Sequence, residues 1–334
     1  MGGEFSYANL VLAADKVRGN GRNKAKYRRL TFHLKNCIYK SFVNRTFTKL
    51  MLTHINYFMN RIFSYLLKAF LSVFIVCDLS CNNNDNPGSN SGKTSTTPTE
   101  DTSPKILSHS ILAAYPHDTS SYTQGLTFYN GELYEGTGLE GRSKLKKVDL
   151  TSGKTLKQIE LAKNIFGEGI AILRDTIYQL TWKNNVVYVY TLKDFKKVKE
   201  YHLNGDGWGL THDSSRLIVS NGSGDLYYYD PSTFRLLSKS GIMEGSNPTF
   251  NLNELEYIDG FVYANQYTYP YILKIDPNAG KVVAKYDMSD MWNRVKMIYA
   301  DAEVPNGIAY NDATKKLYVT GKWWPELYEV QLGQ

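Results

Sequence analysis

Beyond Cys81 the 334-residue chain contains no cysteine, because Cys37, Cys77 and Cys81 are its only three. No disulfide can therefore staple whatever folds downstream. An excess of positive charge is missing from the same region. The whole chain carries a formal +7, but residues 1–58 hold eleven Lys/Arg against Glu4 and Asp15, whereas residues 81–334 hold 26 basic and 29 acidic residues. The basicity belongs to the leader, and the remainder, mildly acidic and without a basic stripe, argues against a nucleic-acid partner. Long apolar runs are scarce too. The most apolar segment, residues 62–77, is short for a membrane span and is interrupted by Lys68. From about residue 104 onward no convincing helical period occurs.

What is present divides the chain into four parts. Residues 59–81, MNRIFSYLLKAFLSVFIVCDLSC, have the order of a secretory signal: a Met, the basic Arg61, an apolar segment, and a small residue before Cys81. Leu79-Ser80-Cys81 resembles a bacterial lipobox with Cys81 as the lipid anchor, although Asp78 stands where that motif usually has an aliphatic residue. A plain signal peptide and an uncleaved anchor remain the alternatives. Residues 82–104, rich in Asn, Ser, Thr and Gly, read as a flexible linker. Residues 1–58 then form a basic leader upstream of the true start; an organelle transit peptide is the competing view. The expectation is an exported domain, periplasmic or tethered to the outer membrane, over residues 105–334. Membrane contact is expected only through the N-terminal segment.

That domain repeats itself. Five segments begin with a variable residue, a small or turn-compatible one and an aliphatic: Gln124-Gly-Leu, Glu168-Gly-Ile, Trp208-Gly-Leu, Asn253-Glu-Leu and Asn306-Gly-Ile, spaced by 44, 40, 45 and 53 residues. Each is followed by a second and a third strand-like run, and four of the five by a fourth. The fifth unit ends without one, and residues 106–115, ILSHSILAAY, are available to supply it. Four-stranded units at this period predict an all-β, five-bladed β-propeller whose last blade is closed by an N-terminal strand. A β-sandwich is the plain alternative.

In a propeller the first strand of each blade lines the channel, so the five variable residues converge on one mouth, and the end of each antiparallel second strand returns there. The second strands contribute Gly138, Trp182, Gly222, Tyr267 and Lys322. One carboxylate, one amine, carboxamides and aromatic faces make a small-ligand pocket. Each residue also has an ordinary explanation. Glu168 could be a solvated strand start, Lys322 an exposed turn charge, Asn253 and Asn306 turn formers, and the aromatics blade packing in a chain with 26 Tyr. Coincidence of position across blades favours the pocket.

The strings YPHDTSSYTQGL (115–126), TGLEGRSKLKKVDL (137–150), FGEGIAIL (166–173), YQLTWKN (178–184), GDGWGLTHD (205–213), LNELEYIDGFVYANQY (252–267), NGIAY (306–310) and VTGKWWPELYEV (319–330) resemble the plant and bacterial glutaminyl-peptide cyclotransferases. The resemblance runs in order through residues 106–334. It implies a five-bladed propeller that converts N-terminal glutaminyl residues of peptides and proteins to pyroglutamyl, releasing ammonia, with no metal and no cofactor. It also implies an acid/base role for Glu168, polar site roles for Gln124, Asn253 and Lys322, and aromatic site roles for Phe166, Trp182 and Trp208. The family's Trp at the end of the fourth blade's second strand is Tyr267 here. Tyr122, two before Gln124, is a wall residue by position.

Those residue types suit the reaction. Ring closure is intramolecular, so aromatic walls need only hold the folded rotamer. Ammonia leaves readily only when protonated, and one carboxylate can take a proton from the attacking amine and pass it to the leaving one. Lys322, Gln124 and Asn253 are candidate donors to the oxyanion. Two rivals stay open: a metal-dependent, lactonase-like propeller hydrolase with an ion held by Glu168, Asn253 and Asn306, and a non-catalytic propeller that binds peptides or cell-surface components.

Overall fold

The computed structural model describes residues 103–333. The leader, the signal-like segment with Cys81 and most of the linker lie outside the described residues. Five sheets in sequence order make up the described chain, a propeller-like all-β arrangement. The first comprises Thr123–Tyr129, Glu132–Thr137, Lys144–Val148 and Thr155–Glu160, the second Phe166–Leu173, Thr176–Trp182, Val186–Thr191 and Lys197–His202, and the third Leu210–His212, Leu217–Val219, Asp225–Tyr229 and Leu236–Gly241. The fourth is built on Leu252–Ile258, Phe261–Gln266, Tyr271–Asp276 and Lys281–Asp287, and the fifth on Pro305–Asn311, Lys316–Gly321 and Glu326–Leu332. Burial falls from the inner strand outward: Phe166–Leu173 is almost wholly buried, while Lys197–His202 at the other edge of its sheet is largely exposed.

The segment expected to complete the fifth unit divides. His109–Pro116 pairs antiparallel with Glu326–Leu332, whereas Lys105–Leu107 runs parallel to Lys281–Asp287 of the fourth sheet. A short hairpin, Met243–Glu244 with Asn247–Pro248, also joins that sheet, which so grows to seven strands. The expectation of no helix is corrected by α1, Ser289–Ile298. It occupies the longest interval between units and buries Met291 and Val295, four residues apart, against a core that includes Ile308, Leu317 and Trp324. Two apolar anchors on one face amid Asp290, Asn293, Arg294 and Lys296 leave little periodic signal in the sequence.

Irregularities in the inner strands aim the variable residues at the mouth. The pairing of first and second strands shifts register between Thr123 and Gly125, between Gly167 and Ile170, between Leu252 and Leu255, and between Pro305 and Ile308. Gln124, Glu168, Asn253 and Asn306 all fall inside these bulges, which re-aim side chains and release backbone groups from the ladder. The released groups tie sheet to sheet: Gly169 N–H donates to the Trp208 carbonyl at 2.8 Å. A methyl group on Gly209 would lie 1.9 Å from the Asn253 carbonyl oxygen, so the small residue in the repeat permits this close packing.

Glu254 fills the equivalent slot in the fourth unit, and its carboxylate instead accepts from Leu126 N–H at 3.1 Å and Ile308 N–H at 2.8 Å. Three inner strands are thereby joined through one buried side chain. Glu256, two residues on, accepts from Tyr310 N–H at 2.8 Å. Burial pushes its carboxyl up to about 8; the Tyr310 N–H opposes the rise and the Asp312 charge adds to it. Because this folded value lies above the unfolded one of about 4.3, the stability it contributes is full below that value and drains as pH climbs to about 8. Glu256→Gln is therefore expected to flatten the fall in melting temperature between about pH 5 and pH 8.5 by at least about 2 °C. Calorimetry of both proteins across that range tests it, and parallel curves would place the pH dependence elsewhere.

Candidate active site

Five buried polar side chains occupy the channel mouth: Gln124, Glu168, Asn253, Asn306 and Lys322. Lys322 is only 2% exposed, so the plain reading of it as a surface charge does not hold. Its main chain is fixed by hydrogen bonds with Val304 and Glu303, and the next residue's N–H donates to the Ser121 carbonyl at 2.8 Å. The side chain thus projects inward from a turn clamped on two sides.

The carboxamide of Gln124 links the charged groups. Lys322 Nζ donates to its Oε1, and Asn306 Nδ2 donates to the same oxygen at 3.1 Å. Its Nε2 donates to Glu168 Oε1 at 3.1 Å. This orientation is the one the donors allow, because the reverse would set the amide NH2 against an ammonium and the carbonyl against a carboxylate. The other oxygen of Glu168 accepts no hydrogen bond among the described residues. Burial raises the Glu168 carboxyl well above the ordinary range; the Lys322 ammonium opposes the rise and the Asp206 carboxylate adds to it. Burial likewise lowers Lys322, to about 8, against the attraction of Glu168, Glu303 and Glu254. Loss of water disfavours both charges while each charge favours the other, so the carboxyl is raised and the ammonium lowered from their ordinary values.

Aromatic rings surround this polar floor. Tyr122 meets Phe166 edge to face at 6.2 Å, Phe166 meets Trp182 at 5.4 Å, and Trp208 meets Tyr267 at 5.4 Å between ring centroids. Lys322 Nζ lies 4.5 Å from the Tyr122 ring centre and 5.9 Å from that of Tyr267, near enough for both faces to stabilise the cation. Tyr267 therefore presents an aromatic face to Lys322 as well as to Trp208. Asn253 stands in the same ring of inner-strand residues without joining the Lys322, Gln124 and Glu168 chain. Its amide makes no hydrogen bond among the described residues, while its backbone oxygen accepts from Ser220 Oγ at 2.6 Å.

A match to the glutamine cyclotransferase family extends over residues 88–332. The chain belongs to that family. A glutaminyl-peptide cyclotransferase of Arabidopsis thaliana is 36% identical over 237 residues, which are 70% of this chain and 74% of that protein. The crystal structure of Myxococcus xanthus glutaminyl cyclase matches at 32% identity with a TM-score of 0.65, covering 69% of this chain and 98% of that one. The chain is accordingly an enzyme of the glutaminyl-peptide cyclotransferase type, on an all-β propeller-like fold.

Three members of the candidate site went unnoticed in the sequence, and a fourth was noticed without being given a part in cyclisation. Asp206 accepts from Trp182 Nε1 at 3.1 Å, and Glu303 accepts from Tyr122 Oη at 2.8 Å, so each carboxylate holds one aromatic wall. Trp323 packs against Tyr122 at 4.9 Å between centroids. Asn306, placed at the mouth but given no part in cyclisation, orients Gln124 and also donates to the Thr123 carbonyl at 2.9 Å. Asp206 and Trp323 lie two and one residues from Trp208 and Lys322, and adjacency in the same motif was the available signal. Glu303 had none, because it faces Tyr122 across 181 residues of chain.

Proposed function

We propose that this enzyme converts N-terminal glutaminyl residues of peptides and proteins to pyroglutamyl, with release of ammonia and without a metal, on a five-bladed propeller closed by His109–Pro116. The carrying observation is Glu168: a buried carboxyl with its affinity for protons raised, one oxygen held by Gln124, inside an aromatic enclosure. The substrate's α-amine has a pKa of roughly 7.7–8.0, so a useful fraction is neutral and nucleophilic near pH 7. It attacks the carboxamide carbon of its own side chain, forming the ring bond. Glu168 accepts the proton from that nitrogen and delivers it to the departing one, and ammonia leaves as the carbonyl reforms. A carboxyl with its pKa raised toward neutrality suits both transfers.

Lys322 and the Asn253 amide stabilise the oxyanion of the tetrahedral intermediate, with Gln124 holding Lys322 and Glu168 in register. Tyr122, Phe166, Trp182, Trp208 and Tyr267 shape the enclosure that binds the folded glutaminyl side chain. Among the described residues no group of three or more His, Cys, Asp or Glu is placed to hold a metal ion. Turnover is expected to persist undiminished after exhaustive chelation, read as ammonia loss from a Gln-initiated peptide by mass spectrometry. Activity lost with the chelator and restored by a divalent cation would favour a metal-dependent reaction. The signal-like residues 59–81 support the further proposal that the domain is exported, with Cys81 as its lipid anchor.

A further inference from the structure

The chain displays an exposed aromatic pair beside the pocket. Phe250 is 47% exposed and Tyr269 is 40% exposed, and the two rings meet edge to face with centroids 5.7 Å apart. The other exposed large hydrophobic residues of the described chain are all aliphatic or Met. They lie on the N-terminal strands, on the outer strands of the sheets or at the end of α1. Phe250 lies two residues before the inner strand Leu252–Ile258, and Tyr269 lies between Phe261–Gln266 and Tyr271–Asp276. Both positions are on the mouth side of the fourth sheet, where Asn253 and Tyr267 also sit.

The backbone holds this pair rigidly beside the pocket. Tyr267 N–H donates to the Asn251 carbonyl at 2.8 Å, and Asn251 Nδ2 returns a bond to the Tyr267 carbonyl at 3.2 Å. Gln266 Nε2 donates to the Phe250 carbonyl at 3.2 Å, and Asn251 N–H donates to Gly222 of the third sheet at 3.1 Å. Gly222 in turn underlies Trp208: a methyl there would lie 2.6 Å from the indole. Thr268, between the two tyrosines, has φ +69°, a left-handed conformation that is a genuine outlier for a β-branched residue. Such strain persists where the surroundings over-determine it. Here it turns the chain sharply between Tyr267, which faces Trp208 inside the pocket, and Tyr269, which faces Phe250 outside it.

We propose that Phe250 and Tyr269 form a second subsite that binds a large apolar or aromatic side chain one or two residues after the N-terminal glutamine, so that the enzyme selects peptides by their second and third residues. The inference rests on the cyclotransferase reading. Once the glutaminyl residue is enclosed, the rest of the substrate has to leave through the mouth, and the shelf continues the wall made by Trp208 and Tyr267. Two rings that are already ordered lose little freedom when a third packs on them.

The test compares kcat/KM of the full-length protein on Gln-Phe-Ala, Gln-Ala-Phe and Gln-Ala-Ala, before and after the double substitution Phe250→Ser, Tyr269→Ser. Parent protein is expected to favour one of the Phe peptides by about fivefold to tenfold over Gln-Ala-Ala, and the substituted protein to show a ratio near one. Ratios within one preparation cancel any loss of folded protein, and the single substitutions serve as a second reading. A parent ratio near one, or a ratio that survives both substitutions, overturns the subsite while leaving cyclisation intact. No turnover of any of the three peptides by the parent overturns the cyclotransferase reading and the subsite with it.

Discussion

Glu168→Gln is expected to lower kcat for cyclisation of a Gln-initiated peptide by about 10²- to 10⁴-fold, the range for loss of a positioned acid/base, with little change in melting temperature. The replacement is nearly isosteric, and its amide oxygen can still accept from Gln124 Nε2, so the polar chain through Lys322 survives in outline. What disappears is a group able to take the proton from the attacking amine and return it to the leaving one. Single-turnover measurement of ammonia release, with circular dichroism as the check on folding, decides the matter. Near-normal turnover would remove Glu168 from the chemistry and turn attention to Glu254, which is equally buried and also has a raised pKa.

Lys322→Met is expected to cost about 10²- to 10³-fold in kcat, with a smaller change in KM, because an oxyanion donor acts mainly in the transition state. The pH profile carries a second signature. Lys322 loses its proton as pH rises through about 8, so the parent's rate should fall on that side, and the substituted enzyme should lack that limb. The Lys322 ammonium also holds the Glu168 carboxyl down, so its removal lets burial push that group further up and moves the acid limb to higher pH. A unit-for-unit identical profile in the two proteins would mean that neither limb belongs to this pair. Methionine fills most of the lysine's volume beside Tyr122, which keeps the packing loss small.

The repeat that places these residues was legible because each unit writes the same grammar at one place. The openers at Gln124, Glu168, Trp208, Asn253 and Asn306 differ chemically, while the aliphatic two positions on is kept, and a ring of inner strands turns that difference into a pocket. Trp182 and Tyr267 were legible from the repeat as well, because an antiparallel second strand returns its far end to the mouth, whereas Phe166 was marked only by the family resemblance. Less visible was α1, whose two buried residues, Met291 and Val295, give too little period to register against strand signals on both sides. The split at Ser108 was also hidden: Lys105–Leu107 and His109–Pro116 read as one strand, but they pair with different sheets.

The sequence by itself determined the all-β repeat, the place of each variable residue near the mouth, and the family that these motifs mark. It did so because strand alternation, turn residues and repeat spacing are local properties of a chain. Only the tertiary structure decided what those residues do to one another. Gln124 stands between Lys322 and Glu168, 198 and 44 residues away, and Glu254 joins the backbones of Leu126 and Ile308. No local pattern encodes such pairings, because they arise when strands of different sheets meet. Burial, which raises the Glu168 carboxyl and lowers the Lys322 ammonium, is likewise a property of the assembled sheets and of no single strand.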